Sequence, residues 1–327
     1  MKRILILLFA GLLAVSCEPA NPDATKVHID KALKRPVKSV ELYAKADVIP
    51  LRVPEGFRAG QGETLLEVAA DRFFLLNQEK DAILVFNFAG EFVTAIRSAE
   101  PVIDFSPYQD RALDVLTEHA ITEYAIGDGS TLTRYPIQDN DVELRCATRL
   151  NENEFFVLGS KDRNAYSGGY LVNRKRFYIE PFPGGLHSIV PASDVQYTRF
   201  FHDGNDAFEF LSQSGVIFAL DAPSGFAYLA LVPDFGKKAI HFTNVQKSGG
   251  QFYYAFERED ASGVLVCDRK TGACKVFRKT EKEPAFPLGV IYAGCNYCCC
   301  PAARLPEFLP DAPADGGEGP VIIRYTL

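Results

Sequence analysis

Short stretches of alternating apolar and polar residues dominate the sequence, which is the pattern of half-buried β-strands. One unit recurs along the chain: an apolar strand, an Asn or Asp, a turn that often contains Gly, and a second strand. The Asn or Asp side chain starts the turn by accepting hydrogen bonds from nearby backbone amides, and Gly supplies the positive φ of a hairpin turn. We therefore predict an all-β protein whose hairpins are marked by Asn87, Asp128, Asn173, Asp221 and Asp268.

The interval between these hairpin markers predicts the architecture. They recur about every 40–50 residues, the period of propeller blades that contain four strands each. The marked hairpin supplies the two outer strands of a blade, and the preceding apolar runs, such as residues 64–70 and 72–77, supply the two inner ones. A β-sandwich would also contain many hairpins but would not keep this interval. The fold is predicted to be a six-bladed β-propeller.

The two ends of the chain are expected to close the ring together. Residues 321–327 have the pattern of a third strand of a blade, and no sequence follows that could form its hairpin partner. Residues 47–53 are the expected substitute. Pro50 in this segment has no amide hydrogen to donate, so the segment should be the outermost strand.

The N-terminal residues predict export and a lipid anchor. Lys2 and Arg3 precede an apolar run from Ile4 to Val15. This run is shorter than the ~20 residues of a membrane-spanning helix and is typical of a signal peptide. It leads into Cys17 through a sequence that resembles the lipobox of bacterial lipoproteins, so Cys17 is predicted to carry acyl chains.

The chain is accordingly divided into three parts. Residues 1–16 are the predicted lipoprotein signal peptide, residues 17–26 a tether, and residues 27–327 a single six-bladed propeller domain. Ordinary secretion, with Cys17 as an unmodified thiol, is the alternative.

Several segments resemble the six-bladed β-propeller lipoproteins of Bacteroidota, whose propellers are of the NHL/TolB-like type. The run "VHIDKALKRPVKSVELYAKADVIPLRV" is similar to the segment that begins the fold in these proteins, and "VIDFSPYQD" and "GPVIIRYTL" are similar to an inner and a closing strand. The resemblance covers roughly residues 27–327. Its motifs are structural, so it implies a fold and a lipid-anchored location at the bacterial outer membrane rather than an activity.

Charge and hydropathy limit the partners. The formal net charge is −7 at pH 7, and an acidic chain is repelled by nucleic acid. No second long apolar segment follows the signal peptide, so the chain is expected to reach the membrane through the lipid anchor only. A protein, a peptide or a glycan is the expected partner.

Four of the eight cysteines lie in "GCNYCCCP", which belongs to the sixth predicted blade. A loop or the end of an inner strand is expected there. Disulfides are favoured because an exported location is oxidising, and free thiols come next. A zinc or copper(I) site is the least favoured reading, since adjacent residues of an extended chain point to opposite faces. The ligands of such a metal site would be Cys295, Cys298, Cys299 and Cys300.

A local disulfide is predicted between Cys267 and Cys274, in the hairpin marked by Asp268. If residues 269–272 form a four-residue loop with Gly272 in the left-handed region, the two cysteines face each other. Their pair would be non-hydrogen-bonded, with Cα atoms about 4.5 Å apart, near the short end of the range for disulfides. The alternative is two small residues that merely lie side by side.

Candidates for ligand binding come from the predicted inner strands, which line the central channel of a propeller. No known catalytic or nucleotide-binding motif is present, and no cofactor is predicted. For each candidate, the alternative is a channel residue paired with a neighbour or with water. The candidates are Asp104, Arg145, Arg149, Arg199, His241 and Asn244.

These observations favour a lipid-anchored β-propeller of the cell envelope that acts as a binding or scaffolding module for an unidentified ligand or protein. The alternative is a metal-dependent hydrolase or lyase with its site in the central channel. Six-bladed propellers similar to strictosidine synthase or lactonases place acids or histidines there. Because no catalytic constellation is recognisable in the sequence, binding is favoured over catalysis.

Overall fold

A computed structural model of the chain describes residues 25–59, 65–137 and 142–160, most of 240–312, and 319–327. Within 240–312 it leaves out residues 260, 279–283 and 285. Between 160 and 240 it describes the shorter stretches 167–173, 179–181, 200–203, 206–210, 217–221 and 226–234. The candidate Arg199 and the predicted acylation site Cys17 lie outside the described residues.

The N-terminal segment contains three strands and one short helix. They are β1 (Thr25–His28), α1 (Ile29–Leu33), β2 (Val37–Lys38) and β3 (Lys45–Pro50).

The strands in the described part of the chain form six separate sheets, numbered here in chain order. Sheet 1 contains β4 (Leu66–Ala69), β5 (Arg72–Leu76), β6 (Ala82–Asn87) and β7 (Phe92–Arg97). Sheet 2 contains β8 (Asp104–Tyr108), β9 (Ala112–Leu116), β10 (Ala120–Ala125) and β11 (Thr131–Pro136). Sheet 3 contains β12 (Glu143–Asn151), β13 (Glu154–Ser160), β14 (Ser167–Asn173) and β15 (Ile179–Pro181).

The remaining three sheets take strands from both ends of the chain. Sheet 4 contains β1 with β16 (Phe200–Asp203), β17 (Asp206–Phe210), β18 (Ile217–Asp221) and β19 (Phe226–Asp234). Sheet 5 contains β2 with β20 (His241–Ser248), β21 (Gln251–Arg258), β22 (Ala261–Asp268) and β23 (Cys274–Arg278). Sheet 6 contains β3 with β24 (Val290–Tyr292), β25 (Cys295–Pro301) and β26 (Pro320–Thr326), and the short helix α2 (Leu305–Phe308) follows β25.

The first strands of the six sheets lie next to one another in cyclic order. The strand β4 contacts β8, β8 contacts β12, and the series continues through β16, β20 and β24, which contacts β4 again. Each sheet is therefore flanked by the sheets before and after it, with its first strand innermost. This is a propeller-type arrangement.

Apolar side chains fill the space between neighbouring sheets. In β5, Phe73 and Leu75 pack in one cluster with Tyr297 of sheet 6, whereas Phe74 packs with Phe105 of sheet 2. Both faces of a middle strand are thus buried, which explains why such strands are continuous apolar runs in the sequence.

The side-chain chemistry predicted at the hairpin markers is confirmed at three of them. The Oδ1 atom of Asn87 accepts hydrogen bonds from the amides of Ala89 and Glu91 at 2.9 and 3.0 Å. Asp128 accepts one from Ser130, and Asp268 accepts two from the amides of Lys270 and Thr271. The remaining markers, Asn173 and Asp221, are the last residues of β14 and β18.

The predicted pairing of the chain ends is also confirmed. The strands β3 and β26 are antiparallel, with Val321 opposite Pro50 and Thr326 opposite Lys45. The partner strand thus spans residues 45–50 rather than the predicted 47–53. It is the edge strand of sheet 6, as the missing amide hydrogen of Pro50 requires.

Residues 25–50, which we call the strap, run along the outer edges of three successive sheets. The strand β1 pairs in parallel with β19 of sheet 4, and β2 pairs in parallel with β23 of sheet 5. The Oγ atom of Ser39 then donates a hydrogen bond to the carbonyl of Pro284 at 3.0 Å, before β3 joins sheet 6. The strap includes Thr25 and Lys26, which the sequence had placed in the tether. None of the helices in the described part of the chain has the length and apolar character needed to cross a membrane.

Candidate functional site

The candidate Arg149 belongs to a buried ion network between sheets 2 and 3. Its Nε atom donates to Asp114 Oδ2 at 2.8 Å, its Nη2 atom forms a second bond to Asp114, and its Nη1 atom lies 3.1 Å from Glu123 Oε1. The side chains are 1%, 6% and 8% exposed, respectively. Burial alone would lower the pKa of Arg149, but the hydrogen bonds and charges of the two carboxylates raise it.

The register of sheet 2 explains why an arginine is needed there. Asp114 on β9 lies directly opposite Glu123 on β10, and like charges in such a cross-strand pair are destabilising. Arg149 reaches both from β12, and its guanidinium lies 4.4 Å from the ring centroid of Tyr108. Arg149 is therefore paired with neighbouring side chains, which was the alternative to ligand binding for this candidate.

Two other candidates also have partners within the protein. The buried carboxylate of Asp104 accepts a hydrogen bond from the amide of Ala147 at 3.1 Å, so it links β8 to β12. Arg145 is exposed and its Nη2 atom lies 2.7 Å from Glu143 Oε1. His241 is the half-buried first residue of β20.

The candidate Asn244 lines a cavity. The cavity has a volume of about 420 Å³ and lies where sheets 5, 6 and 1 meet; we call it the junction cavity. Its apolar lining includes Leu66, Val245, Leu288, Val290 and Ile323. Its polar lining includes Glu67, Thr243, Asn244, Gln246 and Arg304, and residues 297–301 of β25 complete it.

Side-chain amides hold the segment before β24 that forms one wall of the junction cavity. Asn244 Nδ2 donates to the carbonyls of Leu288 and Gly289, both at 2.9 Å. Gln246 Oε1 accepts a hydrogen bond from the amide of Ile291 at 3.1 Å, and its Nε2 atom donates to Asn244 Oδ1 at 3.3 Å. The wall is therefore fixed by neutral hydrogen bonds between the inner strands of sheets 5 and 6.

A buried asparagine on β25 also holds the segment before β24. Asn296 on β25 is fully buried; it donates to the carbonyl of Pro287 and accepts from the amide of Gly289, both at 2.8 Å. A Cβ atom on Gly289 would collide with the carbonyl oxygen of Tyr297, so only glycine fits this close approach.

The sequence missed Gln246 and Asn296. Gln246 could have been found, because it lies two residues after Asn244 and so points to the same face of β20. Asn296 was harder to find from the sequence, because it is a single amide side chain within a run of cysteines.

The cysteine run is a regular strand, which corrects the expectation of a loop or the end of an inner strand. Cys295–Pro301 form β25, the second strand of sheet 6. Cys298 and Cys300 pack with Leu305 and Tyr325, whereas Cys299 packs against the cluster on the opposite face. This is the alternation that was expected of an extended chain.

Burial raises the pKa of the three adjacent thiols, Cys298, Cys299 and Cys300. The Sγ atom of Cys298 donates to the carbonyl of Pro287 at 2.8 Å, and burial raises the pKa of this thiol. Burial also raises the pKa of Cys299 to about 12. Among the described residues, no three His, Cys, Asp or Glu side chains are grouped so that they could hold a metal ion.

The predicted register of Cys267 and Cys274 is confirmed, since the two residues lie directly opposite each other on β22 and β23. The amide of Asp268 donates to the carbonyl of Ala273 at 2.9 Å, and Gly272 has a φ of 67°. Both cysteines are thiols in this structure, and Cys267 is fully buried. The disulfide itself stays a prediction.

Solved structures share the fold at low sequence identity. An exported protein of Bacteroides fragilis aligns with a TM-score of 0.59 and 11% identity, over 93% of this chain and 99% of that one. A member of the DUF4221 family from Bacteroides vulgatus aligns with a TM-score of 0.55 and 9% identity, over 86% of this chain and 96% of that one.

A luciferin-regenerating enzyme aligns with a TM-score of 0.53 and 10% identity, over 86% of this chain and 96% of that one. At such identities the likeness shows a propeller-type fold and nothing of the activity. No protein-family model and no curated protein sequence matches the chain.

Proposed function

We propose that this protein is an exported, lipid-anchored six-bladed β-propeller that binds an uncharged, partly apolar group in the junction cavity. The group belongs to a peptide, a protein partner or a glycan. The observation that carries this proposal is the cavity itself, whose lining combines apolar side chains, the amides of Asn244 and Gln246 and buried thiols. Of its charged lining residues, Arg304 is paired with Glu307 and Glu67 also has an interaction within the protein. The cavity volume of about 420 Å³ lies within the range of small-molecule sites, roughly 300–1,000 Å³.

The count of six blades is supported by the six sheets and by the cyclic contacts of their first strands. Pairing of β3 with β26 makes the last sheet a composite of both chain ends, which is a common way to hold a ring together. Export is supported by the signal-peptide pattern of residues 1–16 and by the B. fragilis structure, which is described as an exported protein.

Binding is favoured over hydrolysis or lyase chemistry because the acids of sheet 2 are already used. Asp104 holds the amide of Ala147, and Asp114 and Glu123 are both paired with Arg149. A catalytic metal site needs such groups to converge with open coordination positions.

The cavity is tested with a variant that fills it. Thr243 lines the cavity and is exposed, so Thr243→Trp should occupy the space without disturbing the core. It also introduces a fluorescent reporter into a chain that has no tryptophan. Uncharged peptides and neutral oligosaccharides are screened by the rise in Tm that they cause in the wild-type protein.

We expect T243W to bind the compound that raises the wild-type Tm most at least about tenfold more weakly, which corresponds to ~1.4 kcal/mol. Leu132→Trp, at an exposed position on β11, is the matched control and should bind like wild type. Equal binding by T243W and L132W would place the ligand elsewhere and reject the proposed site.

Location is tested separately with Cys17→Ala. We propose that Cys17 carries acyl chains, so the variant should lose membrane association when cells are fractionated beside wild type. Identical membrane association of the two proteins would reject the anchor.

We also propose that Cys267 and Cys274 form a disulfide in the exported protein. Two thiols would lose two protons and two electrons to a disulfide-exchange partner, which is reduced to two thiols. Mass spectrometry of the non-reduced protein should find the two peptides linked. Free alkylation of Cys274 in the unreduced protein would contradict the bond.

A further inference from the structure

The strap displays a cluster of positive charge on an acidic protein. Residues 31–38 contain four cations and no acid. All four side chains are exposed: Lys31, Lys34, Arg35 and Lys38. The chain as a whole has a net charge of −7, so this stretch differs strongly from its surroundings.

The neighbouring strand extends the positive cluster. Lys38 lies opposite Arg278 in the parallel pairing of β2 with β23, and β23 also carries the exposed Lys275. Neither β2 nor β23 contains an acid. Asp268, the last residue of the adjacent strand β22, uses its Oδ1 atom to accept hydrogen bonds within its own turn. The exposed Glu41 lies in the turn that follows β2. The outer edge of sheet 5 thus carries six cations, which we call the basic edge.

The basic edge is held rigidly by packing beneath it. Ala32 and Leu33 pack against the buried core of sheet 5, and the amide of Arg35 donates to the carbonyl of Ala32 at 3.0 Å. Exposed arginines elsewhere in the described chain, such as Arg52, Arg58 and Arg111, pair with glutamates. None of the ion pairs found among the described residues involves Lys31, Lys34 or Arg35.

The basic edge also lies close in sequence to the proposed lipid anchor. Residues 18–24 separate Cys17 from the first residue of β1, and such a segment spans at most ~25 Å when fully extended. A membrane that holds acyl chains on Cys17 would therefore be within reach of the strap. Clustered lysines and arginines next to a membrane anchor bind anionic lipid headgroups.

We propose that the basic edge rests on an anionic phospholipid surface and orients the propeller on its membrane. The outer edge of sheet 5 then faces the lipid. The strand β20 lies at the opposite edge of that sheet, so Asn244 is on the side away from the membrane. The junction cavity stays accessible to a partner. This inference rests on the proposed anchor for its biological setting, but it can be tested without acylation.

The test measures binding of the unacylated protein to lipid vesicles. The protein used starts at residue 17 with Cys17→Ser, which keeps every described residue because the described structure begins at Thr25. It should cosediment with phosphatidylcholine vesicles that contain phosphatidylglycerol, and not with phosphatidylcholine alone. Binding should vanish near 1 M salt, where the Debye length falls to about 3 Å.

Charge reversal identifies the surface. K31E/K34E/R35E should weaken vesicle binding at least about tenfold, given the contribution of each cation at an anionic surface. The matched control, K80E/R97E/R145E, makes the same change in net charge at exposed positions of sheets 1 and 3 and should bind within about twofold of the parent protein. If the reversed variant is misfolded by circular dichroism, K31Q/K34Q/R35Q replaces it and should also weaken binding.

Three results would overturn the proposal. The first is equal binding to neutral and anionic vesicles, and the second is full binding by the strap variants. The third is displacement from vesicles by inorganic phosphate at constant ionic strength, because this would indicate a site for a soluble anion. Because the anchor itself is tested by the fractionation of Cys17→Ala, failure of the basic edge and failure of the anchor are distinguishable.

Discussion

Side-chain hydrogen bonds join the inner strands of sheets 2 and 3 and also those of sheets 5 and 6, but the two junctions differ in charge. In each, a side chain on one inner strand accepts a hydrogen bond from an amide of the next: Asp104 from Ala147, and Gln246 from Ile291, both at 3.1 Å. The first junction then adds a fully buried ion network around Arg149. The second, as far as the described residues show, is joined by neutral side-chain amides, and it adjoins the junction cavity.

The difference indicates which junction can bind a ligand. A buried charge is tolerated only when its partners are complete and fixed, so the junction around Arg149 has to stay closed. Neutral amides lose less when a neighbour moves or a ligand enters. We therefore infer that the charged junction stabilises the fold and that the neutral junction binds the ligand.

The largest effect should come from removing the buried arginine. Arg149→Met leaves Asp114 and Glu123 opposite each other without their counter-charge, which should lower the free energy of unfolding by about 3–5 kcal/mol. Urea denaturation measures it. Replacing all three residues together, R149M/D114L/E123L, should recover most of the loss, because no buried charge then remains unpaired.

The matched control for Arg149 is Arg145, four residues earlier on the same strand and 41% exposed. Arg145→Met should cost no more than about 1 kcal/mol, as exposed ion pairs do. Equal losses at the two positions would mean that the network does not hold sheets 2 and 3 together.

A smaller effect is expected at the neutral junction. Gln246→Leu removes the acceptor of the Ile291 amide and the donor to Asn244, which should cost about 1–2 kcal/mol. Gln246→Glu keeps the acceptor and should retain more of the stability. A loss in Q246L as large as that in R149M would remove the contrast between the junctions.

The smallest effect concerns alkaline pH. Burial raises the pKa of Cys299 to about 12, whereas an unfolded cysteine titrates near 8.5. Above that pH the unfolded chain loses this proton before the folded one does, so stability falls as pH rises toward about 12. Cys299→Ala should make this decrease shallower in denaturation curves taken at increasing pH. An unchanged slope would mean that the thiol is accessible to water.

Local sequence patterns predict much of the fold, but they do not predict the junction cavity. The markers Asn87, Asp128 and Asp268 act through hydrogen bonds within their own turns, so a few adjacent residues predict them. Pairing of residues 45–50 with 321–326 was predictable because both segments have strand patterns and Pro50 restricts its strand to an edge.

The junction cavity depends on contacts between distant residues. Asn244 and Gln246 act on residues 288–291, about 45 positions later, where no strand was predicted. The run of cysteines was expected in a loop because the sixth predicted blade is longer than its neighbours, but small buried thiols pack like other apolar side chains and can form a strand. Arg149 was selected because it is a polar residue on a predicted inner strand. Its pairing could not be foreseen, because the carboxylates that bind it are on another sheet.

Hydrogen exchange at two amides tests the central claim most directly. The amide of Ala147 is bonded by Asp104 beside the charged junction, and that of Ile291 by Gln246 at the neutral one. We predict that Ile291 exchanges faster in the free protein, because its junction opens more easily, and that a bound ligand slows Ile291 and leaves Ala147 unchanged. Faster exchange at Ala147, or protection of Ala147 alone on ligand binding, would contradict the account.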